Sequence, residues 1–289
     1  MLVSSLALSD GGGRPSTPAL SANAKYLLET VVCDVHWTAM QIGTITMLLA
    51  RARAGESSGL QSGRHLVHDD SKTMLLALRY ATQMGLGADI VAKLTNIYRR
   101  VGEAKLSLAP LTEAARLGRA QQTPLQAPCD VWRRIAGEAA ATIAQLQSET
   151  GARLAPQYAV DADALRQFLD QAARGDTQPV DRTGAIATPK LQQRRQAPRL
   201  AVSIPCTLQL PTGAVSARVV DVSSRGLGVA CNAPLADKQK LTVVLEDGRS
   251  LEATVVRRQG ERIGLQLARS LPAADPLFLS GVERRKAVA

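Results

Sequence analysis

The sequence predicts an α+β multidomain protein, an all-α N-terminal domain followed by a six-stranded antiparallel β-barrel. Three observations predict it. Residues 21–175 carry apolar side chains largely at three- and four-residue spacing, with no sustained strand pattern. From Ala201 the apolar period changes to two. Between these regions, residues 176–192 hold Pro179, Gly184 and Pro189 and show no apolar period, as a flexible linker would. A length of 289 residues also fits two domains better than one.

Residues 1–20, rich in Gly, Ser and Pro, read as a disordered N-terminus. The helical pattern begins near Asn23, with Tyr26, Leu27, Val31, Val35, Ile42, Ile45 and Leu49 on a recurring face. Gly55 to Gly63 interrupts it, and Asp70-Ser71 is a cap signal for a helix carrying Met74, Leu75, Leu78 and Ala81. Asp89 opens a helix with Ile90, Val91, Leu94, Ile97 and Val101. Further helices are predicted over 111–119, 129–150 and 161–174, with Asp161 as the cap of the last.

In the C-terminal third, Val202, Ile204, Cys206, Leu208 and Leu210 alternate with Ser203, Pro205, Thr207 and Gln209. Pro211-Thr212-Gly213 supplies a turn into a second strand through Val215, Ala217, Val219 and Asp221. Leu227, Val229 and Cys231 form a third, and Leu241–Leu245 and Leu251–Arg257 flank the hairpin signal Asp247-Gly248. Ile263, Leu265 and Leu267 complete the set. Six short strands joined by tight turns predict a small closed barrel over residues 193–272. Residues 273–289 read as a tail or short helix, with Asp275–Lys286 as the candidate.

Charge is uneven along the chain. Residues 190–289 hold 16 Lys and Arg against 8 Asp and Glu, so this third supplies +8 of the total +10. An anionic partner is implied there. Nucleic acid is disfavoured, because no Phe, Tyr, Trp or His lies between Lys190 and Leu277 to stack bases. Cys33, Cys129, Cys206 and Cys231 lack metal-site spacing and read as buried reduced thiols, in keeping with a cytoplasmic location. The first residues make a poor signal peptide. The most apolar stretch, Val31–Ala50, contains Asp34, His36 and Gln41 and is not a membrane span.

Two motifs carry the functional signal. Arg194-Arg195-Gln196-Ala197-Pro198-Arg199 contains RxxxR from Arg195 to Arg199, and Asp221-Val222-Ser223-Ser224-Arg225-Gly226 is DxSxxG. Guanidiniums reach phosphates and the O6/N7 edge of guanine in bidentate fashion. An Asp accepts from guanine N–H groups, a Ser hydroxyl meets phosphate or base, and a Gly permits close backbone approach. Each half alone also reads blandly, the first as a solvated basic cluster and the second as a polar turn.

In this order and on these strands, the pair resembles the ligand-binding signature of the PilZ domain, the bacterial receptor module for cyclic di-GMP. The resemblance covers roughly residues 193–272 and implies the same barrel. It implies that Arg195 and Arg199 contact guanine and phosphate while Asp221, Ser223 and Gly226 line the barrel surface beneath. In the family, an Arg at the position of Arg194 accompanies binding of a stacked ligand dimer. Arg225 lies at a variable position, either adding a phosphate contact or facing solvent. Where the family's barrel often ends in Gly followed by an aromatic, this chain has Gly264-Leu265-Gln266-Leu267.

The resulting expectation is a non-enzymatic cyclic di-GMP receptor needing no cofactor, catalytic residue or metal. Its helical domain would serve output or dimerisation and meet a protein partner, with homo-oligomerisation left open. One alternative is a cyclic-dinucleotide-regulated metal phosphohydrolase, since His36, His68, Asp69 and Asp130 fit a His…His-Asp…Asp order loosely. His65, His68, Asp69 and Asp70 read more simply as a polar helix approach and cap. A second alternative is a PilZ-fold interaction module that binds a protein and no nucleotide.

Overall fold

The computed structural model describes residues 20, 22–57, 59–60, 74–75, 77–118, 124–180, 185–193, 198–272 and 275–278. The helical region contains α1 (Ala22–Arg53), α2 (Ala88–Leu106), α3 (Leu108–Arg116), α4 (Gln126–Thr150) and α5 (Pro156–Arg174). Helices α1, α4 and α5 pack together, and α2 lies against α4. Trp132, Ile135, Ile143, Leu165, Leu169, Val31, Ile42 and Leu49 fill the centre, each almost fully removed from water. The apolar rows read from the sequence are therefore core rows. No helix among the described residues is long and apolar enough to cross a membrane.

Three helices start earlier than expected, α3 at Leu108, α4 at Gln126 and α5 at Pro156. Met74, Leu78 and Ala81 are buried, and the expected helix is present at Met74, Leu75 and Ala77, running into a 3₁₀ turn at Leu78–Tyr80; the Asp70-Ser71 cap lies outside the described residues. The last helix begins at Pro156, earlier than predicted, because a Pro in the first turn has no N–H to lose and a φ already suited to the helix. Asp161 is consequently inside α5 and caps nothing.

The six predicted strands are all present: β1 (Leu200–Leu210), β2 (Gly213–Ser223), β3 (Gly226–Ala230), β4 (Lys240–Leu245), β5 (Ser250–Gln259) and β6 (Arg262–Leu267). They close into an antiparallel barrel in the order β1-β2-β3-β6-β5-β4, with β1 returning to β4 through Cys206↔Leu245 to Gln209↔Thr242. Alternate side chains point inward, and Leu208, Val219, Val229, Val243, Val255 and Leu265 form the interior.

The barrel core also takes in a residue from the far end of the chain. Tyr26, in the first turns of α1, is 4% exposed and belongs to the barrel's apolar cluster. Its ring stacks obliquely on Phe278, centroids 4.9 Å apart. Phe278 is held by Asp275, which caps its turn through Leu277 N–H at 2.9 Å and accepts from Arg249 Nη1 at 2.9 and 3.0 Å. Of the predicted helical tail Asp275–Lys286, residues 279–286 lie outside the described residues.

Candidate ligand-binding site

The β1–β2 hairpin brings the two motifs together. Its register sets Leu200 opposite Val222 and Ala201 opposite Asp221, so Arg199, one residue before β1, stands beside the end of β2. Arg199 Nη1 donates to Asp221 Oδ1 at 2.9 Å. The Arg199 side chain is 40% exposed and that of Asp221 24%. An ion pair this wet contributes at most about 1 kcal/mol. Either partner can therefore exchange it at little cost for a phosphate or a guanine edge, where bidentate, charge-assisted bonds form.

Local backbone irregularity aims the carboxylate. The β2–β3 ladder slips between Val219 and Asp221, a bulge of the kind that redirects a side chain. The Asp221 carboxylate then lies over Gly228, where any Cβ would overlap Oδ2. Gly228 was not among the predicted site residues. The signal for it was a second glycine inside a strand, Gly226-Leu227-Gly228, which marks close approach of another group. Gly226 serves a different need: a Cβ there would stand 2.6 Å from the Leu265 carbonyl oxygen on β6, so its smallness packs β3 on its neighbour. Ser223, 7% exposed, donates through Oγ to the Gly226 carbonyl at 3.2 Å and closes the Ser224-Arg225 turn. That turn is braced by Leu271 N–H on Ser224 O at 2.7 Å and Leu267 N–H on Arg225 O at 3.0 Å.

Arg225 does something neither reading of it anticipated. Its charge acts on Asp34 of α1 in the helical unit. Burial raises the Asp34 pKa, opposed by the hydrogen bond from Tyr98 Oη at 2.6 Å and by the charges of Arg225 and Lys105. The turn inside DxSxxG thus lies near enough to α1 for the Arg225 charge to act there. Of the predicted site, Arg199, Asp221, Ser223 and Gly226 are gathered at one end of the barrel; Arg194 and Arg195 lie outside the described residues.

The residues weighed for a metal fare differently. His36 is 3% exposed in the helical core, and burial lowers its pKa to about 4 even with Asp161 pulling it upward. Asp130 accepts from Gln126 Nε2 on the same helix at 2.7 and 2.9 Å. His65, His68, Asp69 and Asp70 lie outside the described residues. Among the described residues no group of three or more His, Cys, Asp or Glu is placed to hold a metal ion. All four cysteines are free and buried.

Residues 193–277 match the family model of the PilZ domain. The C-terminal third is a PilZ domain. No family model covers the helical region, and no curated protein matches the chain. Among solved structures the chain is similar to YcgR from Escherichia coli in complex with c-di-GMP, at 17% identity and a TM-score of 0.23, over 36% of this chain and 51% of that one. The chain therefore spans about half the length of that protein. Within this PilZ domain, Gly264 pairs with Gly228 across β3 and β6, and Leu265 and Leu267 are buried.

Proposed function

We propose that this chain is a cyclic di-GMP receptor, with Arg194, Arg195, Arg199, Asp221, Ser223 and Gly226 forming the site on the PilZ domain. The observation that carries the reading is the Arg199–Asp221 contact, which unites the two motif halves on an exposed face of the barrel. The uneven charge supports it, since +8 of the net +10 lies in residues 190–289 and the ligand is anionic. Arg199 turns from Asp221 to the ligand's phosphate and guanine edge, and Asp221 accepts from guanine N–H groups. Gly228 keeps the carboxylate low enough for a base to approach. Ser223 shapes the turn as much as it touches the ligand.

Ligand capture orders residues 194–199 against the barrel and changes how the helical unit sits on it. Arg225 gives that motion a route, because it belongs to the ligand-site turn and its charge faces Asp34 on α1. The helical unit then carries the response to a protein partner. Calorimetric titration of the full chain with cyclic di-GMP tests the reading. Heat of binding that saturates at micromolar ligand or below and is lost in Arg199→Ala supports it. No binding by the wild type leaves a PilZ-fold interaction module instead.

A further inference from the structure

One buried carboxylate ties the segment between the two units to the helices. Asp161 is 1% exposed, and its Oδ1 and Oδ2 accept the backbone N–H groups of Gln192 and Gln193 at 2.7 and 2.9 Å. Gln193 Nε2 donates to Tyr158 Oη at 3.3 Å, one turn earlier on α5. Upstream, Ile186 is buried in the helical core and Leu191 packs against it. A buried carboxylate is costly unless donors meet its charge. His36 is the neighbouring ring, and being neutral at neutral pH it provides no cation. The two amides provide the compensation, and peeling them away would strand a charge in the core.

This anchor lies immediately before the arginine motif. Gln193 is bonded to Arg194, and Arg199 is held at the other end by Asp221. The described residues on either side of the motif, Gln193 and Arg199, thus each meet a carboxylate, one on each unit. We propose that Asp161 is a positioning residue for ligand capture: it fixes the backbone entering Arg194 and Arg195, so the helical unit completes a site that the barrel alone only half supplies. The gain is preorganisation, because residues already anchored lose less freedom when they close on a ligand. The ligand's identity rests on the proposed receptor function.

The test uses full-length Asp161→Asn, which keeps the shape but turns an NH₂ toward one of the two donors. Thr150→Val is the control, since it removes a buried hydroxyl bond to Leu146 O (2.6 Å) on α4, a different helix from Asp161. In ligand-free protein, hydrogen exchange at the Gln192 and Gln193 amides should quicken at least about tenfold in Asp161→Asn and stay unchanged in the control. Unchanged exchange in Asp161→Asn overturns the anchor whether or not any nucleotide binds. Titration with cyclic di-GMP should then show affinity about tenfold weaker in Asp161→Asn and unaltered in Thr150→Val. Equal affinity overturns the positioning role. Tighter binding overturns it too, making Asp161 a restraint on the arginines. A wild type that binds no cyclic di-GMP removes both the receptor reading and the positioning role, and leaves an anchor that serves only the fold. If Asp161→Asn does not fold, Gln193→Pro deletes one donor from the other side, leaves α5 intact, and should weaken the ligand similarly.

Discussion

Arg199 and Asp221 are each other's partners, Nη1 to Oδ1 at 2.9 Å, across the open end of the β1–β2 hairpin. The residues assigned to hold a nucleotide hold one another in its place. Exposed as they are, they do so weakly, which keeps the arginine oriented without binding it fast.

Arg199→Ala should therefore cost little stability, below about 1 kcal/mol. Cyclic di-GMP affinity should fall by at least about 1.5 kcal/mol, the low end for a charged hydrogen bond. Thermal melts and calorimetry on the same preparation separate the two quantities. Undiminished affinity in this variant rejects the site.

The two glycines of β3 should part company. Gly226→Ala drives a Cβ toward the Leu265 backbone, and rigid backbone cannot step aside, so the domain should lose about 1–3 kcal/mol. Gly228→Ala meets only the carboxylate tip of Asp221, which can swing away. It should melt near wild type, yet bind nucleotide as poorly as Asp221→Ala.

Ligand number should follow charge. A stacked dimer of cyclic di-GMP concentrates four phosphates, so a cation at Arg194 should favour two ligands per barrel. Arg194→Leu should shift the endpoint toward one, since losing a neighbouring charge penalises the second ligand more than the first. Ligand should also protect the basic sites from Arg182 to Arg199 against trypsin. A single equivalent at saturation of the wild type defeats the dimer, and unaltered cleavage defeats the wrapping.

His36 makes stability depend on pH. Burial lowers its pKa from 6.5 to about 4, so between those values the unfolded chain binds a proton that the native core refuses. Its contribution is whole above pH 6.5 and drains as pH falls toward 4, by up to about 3 kcal/mol. Denaturant melts of wild type and His36→Leu should diverge across that window, the variant showing the flatter acid limb. Parallel curves would place the histidine in contact with water.

Much of the barrel was legible in the sequence because its strands alternate with a period of two. The hairpin register even explains the spacing of the motif: a turn at Pro211-Thr212 folds Arg199 back beside Asp221. The features that escaped have a common cause. Asp161 looked like a helix cap because a short acceptor just before an apolar run carries the same local pattern wherever its donors come from; its donors proved to be Gln192 and Gln193. Tyr26 fitted the apolar row of α1, and only three-dimensional packing assigns it to the barrel. Gly228 lacks a side chain to suggest what rests upon it. Local period is visible in sequence, but the partner of a side chain across a long loop is not.

The Tyr26–Phe278 stack bears on how this molecule can be rearranged by evolution or by the bench. A barrel whose floor is finished by a ring from the opposite terminus is not an interchangeable cassette. Grafted behind another leader, it would present the uncovered face of Phe278 to water, and the new neighbour would have to arrive already carrying an aromatic at the matching height. A change at either ring alters the packing of the other, so Tyr26 and Phe278 answer to each other although they stand near opposite ends of the described residues.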